Sequence, residues 1–209
     1  METFGRYELL EKIGRGSSSI VYKARDRKLG RLVALKLLEP RRAEDPNFVA
    51  RFGREACVAA KLDHPNIVIV HDADKIDGQL YIAMKYLPGC TLQAFLEKKG
   101  ALSLAQALPI LEKIAAALDY AHQKGIVHRD VKPSNIIVEE MVGALKVTLT
   151  DFGLVKALEG SQSLTTTSAL MGSVRYMAPE QSTPSRAGEI GPATDRYALG
   201  VVAYQMLTG

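Results

Sequence analysis

The pattern of apolar and polar positions changes period part-way along the chain. Residues 7–13 (Tyr7, Glu8, Leu9, Leu10, Glu11, Lys12, Ile13) run into a glycine-rich turn, and residues 20–24 run out of it. That arrangement predicts a β-hairpin whose turn carries the unusual residues. Residues 31–38 read as a third strand. Over 48–62, Phe48, Phe52, Cys57, Ala59 and Ala60 fall at helical spacing with charges between them, which predicts an amphipathic helix ended by His64, Pro65 and Asn66. Strands are expected over 67–72 and 79–86, joined by Lys75, Ile76, Asp77 and Gly78. After Leu87, Pro88 and Gly89 the pattern turns helical. A short helix over 92–99 is closed by Gly100, and a long one over 104–124 is capped by Ser103 and ended by Gly125. Residues 194–209 are apolar nearly all round, as in a buried helix. The fold class expected is therefore α+β with a bilobal plan. A small antiparallel β lobe with one helix takes 1–86, and a larger, mainly helical lobe takes 87–209, joined near residues 85–89.

Composition narrows the function more than the fold. Hydrophobic residues make up 47% and charged residues 24%, ordinary for a globular protein. The net charge of +4 is mild, Trp is absent, and no basic run is interleaved with aromatics, so no nucleic-acid partner is expected. Cys57 and Cys90 lack metal-ligand spacing and read as idle thiols of a reducing compartment. Residues 1–14 carry no signal-peptide pattern, and no apolar run is long enough to span a membrane. The expected location is cytoplasmic.

Chemistry concentrates in four segments. The first is Ile13, Gly14, Arg15, Gly16, Ser17, Ser18, Ser19, Ile20 and Val21, where glycines allow a backbone to approach phosphates. Its strand–turn–strand setting argues against a dinucleotide fingerprint, and no Gly-Lys-Ser/Thr closes a Walker loop; a plain hairpin turn is the bland alternative. The second is Lys36, inside the apolar run Val33, Ala34, Leu35. A buried ammonium needs a partner, and Glu55 on the next helix offers one; a solvent-facing lysine is the alternative. The third places six polar or charged residues, His128, Arg129, Asp130, Lys132, Ser134 and Asn135, between two apolar runs. Such a loop, held at both ends, suits catalysis. Asp130 can accept a hydrogen bond from an attacking hydroxyl, Lys132 can neutralise a phosphoryl group in transfer, and Asn135 can offer an oxygen to Mg²⁺. In the fourth, Asp151 is a hard carboxylate after the strand 145–150, followed by Phe152 and Gly153.

Taken in order, these segments resemble the eukaryotic-type protein kinase family. The likeness is strongest to bacterial serine/threonine members, through residues 119–137 and through Gly172, Ser173, Val174, Arg175, Tyr176, Met177, Ala178, Pro179, Glu180 and Gln181. The resemblance implies transfer of the ATP γ-phosphate to serine or threonine hydroxyls of protein substrates. It implies that Lys36 and Glu55 form an ion pair, that Asp130 is the catalytic base, and that Asn135 and Asp151 bind Mg²⁺ (Mn²⁺ being a substitute). Lys132 is what resembles serine/threonine rather than tyrosine kinases. Adenine would lie at Lys85, Tyr86 and Leu87, with Met84 behind it, Val21 and Ala34 above and Ile137 below; plain core packing is the alternative for each apolar residue. Arg129 implies control by phosphorylation at Thr165, Thr166, Thr167 or Ser168, with Lys156 joining the phosphate pocket. Bacterial relatives dimerise through the small lobe, which would make a homodimer the vehicle of trans-autophosphorylation.

Some features depart from the pattern. Ser19 replaces the usual third glycine, Ser173 replaces a threonine, and the 181–194 stretch is long. The family continues beyond the helix at 194–209 and supplies an arginine for Glu180. The expectation is a C-terminally truncated catalytic domain that exposes apolar surface and leaves Glu180 unpaired. Two other readings stand beside the active kinase. A pseudokinase that binds nucleotide or partners would have lost Lys36, Asp130 or Asp151, all present here; truncation is the argument for it. A small-molecule kinase on a related fold is opposed by Lys132 and by Ala178, Pro179 and Glu180.

Overall fold

The computed structural model describes residues 2–16, 19–152 and 174–209. These form two compact units, one made of Met1–Asp63 and Ile69–Leu87, the other of His64–Val68 and Pro88–Gly209.

The first unit is a six-stranded antiparallel sheet in the order β1-β2-β3-β4-β6-β5. Its strands are β1 (Thr3–Phe4), β2 (Tyr7–Arg15), β3 (Ser19–Asp26), β4 (Arg31–Leu38), β5 (Val70–Ile76) and β6 (Gln79–Lys85), with α1 (Pro46–Ala59) between β4 and β5. The alternation along β2 to β4 and β6 packs Tyr7, Ala24, Val33, Leu35, Leu37, Tyr81 and Ala83 into one core. At its rim Asp72 Oδ2 accepts from Arg6 (2.8 Å), Tyr7 (3.1 Å) and Tyr81 (2.9 Å). Burial first, and then the Asp72 carboxylate, hold both phenols above their usual range. The β5–β6 strands turn at Asp77 and Gly78, whose φ angles of 46° and 81° suit a two-residue hairpin. This corrects the strand expected over 67–72. The hairpin register Ile76↔Gln79 starts the strand at Val70.

Residues 64–68 go elsewhere. Val68 donates to the Leu149 carbonyl (3.0 Å), Leu149 to Asn66 (2.8 Å), and the Asn66 side chain to Val147 (2.7 Å). Those bonds tie the segment to the second unit. Here β7 (Cys90–Thr91), β8 (Ile136–Met141) and β9 (Ala144–Leu149) form a small sheet, accompanied by α2 (Leu92–Lys99), α3 (Leu104–Gln123), α4 (Pro179–Ser182) and α5 (Pro192–Thr208). Gly89 approaches the β8 backbone so closely that a Cβ would collide with the Val138 carbonyl. Helix α3 starts with a reciprocal box: Ser103 Oγ accepts from Gln106 N, and Gln106 Oε1 accepts from Ser103 N (2.9 Å). Its inward stripe is Ala107, Ile110, Ile114, Ala117, Leu118 and Ala121. Among the described residues no helix is long and apolar enough to cross a membrane.

Helix α5 corrects a second expectation. It buries one stripe only, Thr194, Asp195, Ala198, Val202 and Met206, while Tyr197, Tyr204 and Leu207 are exposed. The partners among the described residues lie on one side. Leu102 donates to Met206 O (2.7 Å), and Asp195 meets the 128–129 backbone.

Replacing Ser103 with Ala should cost about 1 kcal/mol, and Ile114→Ala, at a fully buried site, about 2–5 kcal/mol. Urea unfolding should show both as lower midpoints at constant slope. Equal losses would contradict this division between cap and core.

Candidate active site

In the first unit, the β3–β4–β6 registers pair Val21 with Lys36, Lys36 with Ile82, and Ala34 with Met84. Directly opposed residues share a face, and residues two apart along a strand return to it. Val21, Ala34, Lys36 and Met84 therefore occupy one face of the sheet. Gly14 opposes Val21, and the β2–β3 pairing runs on to Arg15↔Ile20. Gly16 N donates to Ser19 O across the turn (2.8 Å). Ile13 is exposed; Ser17 and Ser18 lie outside the described residues. Lys36 is 7% exposed, so its ammonium is desolvated and must be partnered. Glu55 is half-buried on α1. Lys85, Tyr86 and Leu87 follow directly from β6, and Lys85 N donates to Ile69 O (2.9 Å).

In the second unit the catalytic-loop candidates converge. Asp130 Oδ2 takes Lys132 Nζ at 2.8 Å and Asn135 Nδ2 at 2.9 Å. Asn135 Nδ2 also donates to the Asp130 carbonyl (2.9 Å). Asn135 O accepts from Thr150 N (2.8 Å) and Thr150 Oγ1 (3.1 Å), so Asp151 is fixed one residue beyond the contact. Two residues here adopt left-handed backbone, Arg129 at φ 66° and Asp151 at φ 60°. Such strain persists only where the surroundings over-determine it. Ile137 is half-exposed on β8, between the buried Ile136 and Val138.

The surroundings include residues given no role above. Asp195, fully buried in the first turn of α5, accepts from His128 N at Oδ2 (2.8 Å) and from Arg129 N at Oδ1 (2.8 Å). His122 Nε2 meets the same Oδ2 at 2.7 Å. The single carboxylate of α5 is the sequence signal that could have revealed this anchor. Elsewhere in the segment, Glu180 is in no salt bridge among the described residues, and its Oε1 accepts from Thr194 Oγ1 (2.6 Å). That hydrogen bond is the main cause holding its carboxyl below the usual range. Gly153, Lys156, Thr165, Thr166, Thr167, Ser168, Gly172 and Ser173 lie outside the described residues.

His128 is internally consistent as a neutral ring. Its Nδ1 accepts from Asp130 N (3.2 Å), so the proton sits on Nε2, which donates to Thr150 O (2.9 Å). Its ring packs on Phe152 with centroids 4.5 Å apart. Burial outweighs the nearby carboxylates of Asp195 and Asp130 and holds its pKa below the ordinary 6.5. The folded ring thus binds a proton less readily than the unfolded one. Stability contributed here is full above the ordinary value and falls as pH drops below it. At about pH 6, where an unperturbed imidazole is mostly charged, ¹⁵N NMR should still show the Nε2–H tautomer. A ring that titrates at or above its ordinary value would contradict the geometry.

Comparison with known proteins agrees with this arrangement. Residues 7–209 match the protein kinase domain family. The chain is 45% identical over 205 residues to the serine/threonine-protein kinase PrkC of Bacillus subtilis, a match covering 98% of this chain and 31% of that protein. It spans about a third of the length of the curated relatives it matches. Among solved structures, the Mycobacterium tuberculosis PknI kinase domain is similar with a TM-score of 0.77 and 34% identity, over 99% of this chain and 75% of that one. Rad53 1-466 in complex with AMP-PNP is similar at 0.78 and 30%, over 98% of this chain and 48% of that one. This chain belongs to the protein kinase domain family.

Proposed function

We propose that this chain is the catalytic part of a serine/threonine protein kinase, moving the γ-phosphate of ATP to hydroxyls of protein substrates. One observation carries the reading most directly: Lys132 and Asn135 both bind Asp130 Oδ2 within one loop. Two donors fix the carboxylate plane, as a base that must meet an incoming hydroxyl requires. Lys132, 2.8 Å from that oxygen, can offset charge on the phosphoryl group as it leaves ADP.

The nucleotide would take its adenine contacts from Val21, Ala34, Met84, Lys85, Tyr86, Leu87 and Ile137. Its phosphates would meet the 13–21 hairpin and Lys36. Glu55 on α1 would pair with Lys36 in the active state.

The donor chemistry at Asn135 and Asp151 fits Mg²⁺. Asn135 has committed its amide nitrogen to Asp130, so the oxygen is what it can give a cation. Among the described residues no group of three or more His, Cys, Asp and Glu gathers into a metal cluster. An oxygen pair of this kind suits a cation that takes its other ligands from phosphates and water. Bound there, Mg²⁺ would neutralise charge on the phosphates.

Incubation with MgATP and intact-mass analysis tests the reading. Phosphate adducts should form on the natural chain and on an added Ser/Thr protein, and Asp130→Asn should abolish both. The loss expected is at least about 10²-fold in rate. A second copy would act as substrate in trans, so labelling per molecule should rise with concentration. ATP binding without transfer would favour the pseudokinase alternative.

A further inference from the structure

We propose that Gln181 is a positioning residue for catalysis, its carboxamide clamping the peptide plane that carries Asp130. The proposal rests on the kinase reading above and adds a residue to it.

Arg129 is the strained residue next to the base, and both of its backbone polar groups are held by side chains distant in sequence. Its N–H goes to Asp195 Oδ1 (2.8 Å), and its carbonyl accepts from Gln181 Nε2 (2.8 Å). The Arg129 carbonyl and the Asp130 N–H belong to one rigid peptide unit. That unit is gripped at the other end by His128 Nδ1, which accepts from Asp130 N at 3.2 Å. Fixing both ends of the plane fixes the direction in which the Asp130 side chain leaves the backbone. A carboxylate displaced by a fraction of an ångström from its hydroxyl partner loses much of its catalytic value.

The amide orientation is determined by chemistry. Gln181 Oε1 accepts from Ala178 N (3.1 Å) while Nε2 donates to Arg129 O. Flipping the group would set N–H against N–H and oxygen against oxygen. Gln181 thus ties the 178–181 turn directly to the loop carrying the base. The plain alternative is that it only caps its own turn at Ala178.

Gln181→Glu separates the two roles. A carboxylate still accepts from Ala178 N, so the turn keeps its cap, but it presents an oxygen to the Arg129 carbonyl and the clamp becomes repulsive. Expected at pH 8 is a kcat lowered about ten-fold or more with KM for ATP nearly unchanged. Expressed as a ratio to the natural chain at each pH, activity should recover toward pH 5 as the new carboxyl protonates and donates. Gln181→Met, lacking both bonds, should be slow at every pH. A Gln181→Glu chain with natural kcat at pH 8, or with a pH-independent deficit, would overturn the proposal. Hydrogen exchange supplies a readout without turnover. Both variants should accelerate exchange at the Arg129 and Asp130 amides and leave α3 protected; unchanged exchange there overturns the clamp. A natural chain that transfers no phosphate overturns the kinase reading instead, and exchange still decides the clamp.

Discussion

The second unit depends on one carboxylate. Asp195 is fully buried and accepts from two successive backbone amides and from an imidazole. A buried charge without such partners would be expensive, and here three donors and the amino end of α5 provide compensation. What the arrangement achieves is a strained main chain held still. Arg129 stays left-handed because its N–H has a fixed acceptor. From that point the His128 ring, the Asp130 carboxylate and the Asn135 amide follow by short hydrogen bonds.

The first unit solves a different problem. It must keep an ammonium 7% exposed without losing it to solvent. Its registers do so by putting Lys36 on a sheet face between Val21 and Ile82, with Ala34 and Met84 beside them. Small and apolar neighbours leave a flat surface next to a charge, a combination suited to a planar ring with an anionic tail.

Much of this was legible in the residues because it rests on local chemistry. The Ser103 cap, the Asp77–Gly78 turn and the 31–38 strand are short-range decisions, and they were read within a residue or two. So were the loop residues Asp130, Lys132 and Asn135, whose polar types stand out between apolar runs. What escaped depends on long-range pairing. Residues 67–69 look like strand, but Ile67 and Val68 pair with β9 and only Ile69 reaches β6, through Lys85 N. Helix α5 reads as apolar nearly all round, yet among the described residues only one stripe of it is buried. Asp195 and Gln181 act on backbone groups many residues away, and His122 on the Asp195 carboxylate; no periodicity announces such a partner.

The separation between the loop and its anchor has a consequence for biosynthesis. Arg129 and Asp195 are 66 residues apart in the chain. At a ribosomal rate of about 5–20 residues per second, the loop waits roughly 3–13 s for its acceptor to be made. During that interval a left-handed arginine has nothing to hold it, so the nascent loop relaxes to ordinary backbone. Under the proposed reading, the base would not be aimed before α5 has been translated and docked, and the reactive geometry would arise only as a late event of folding.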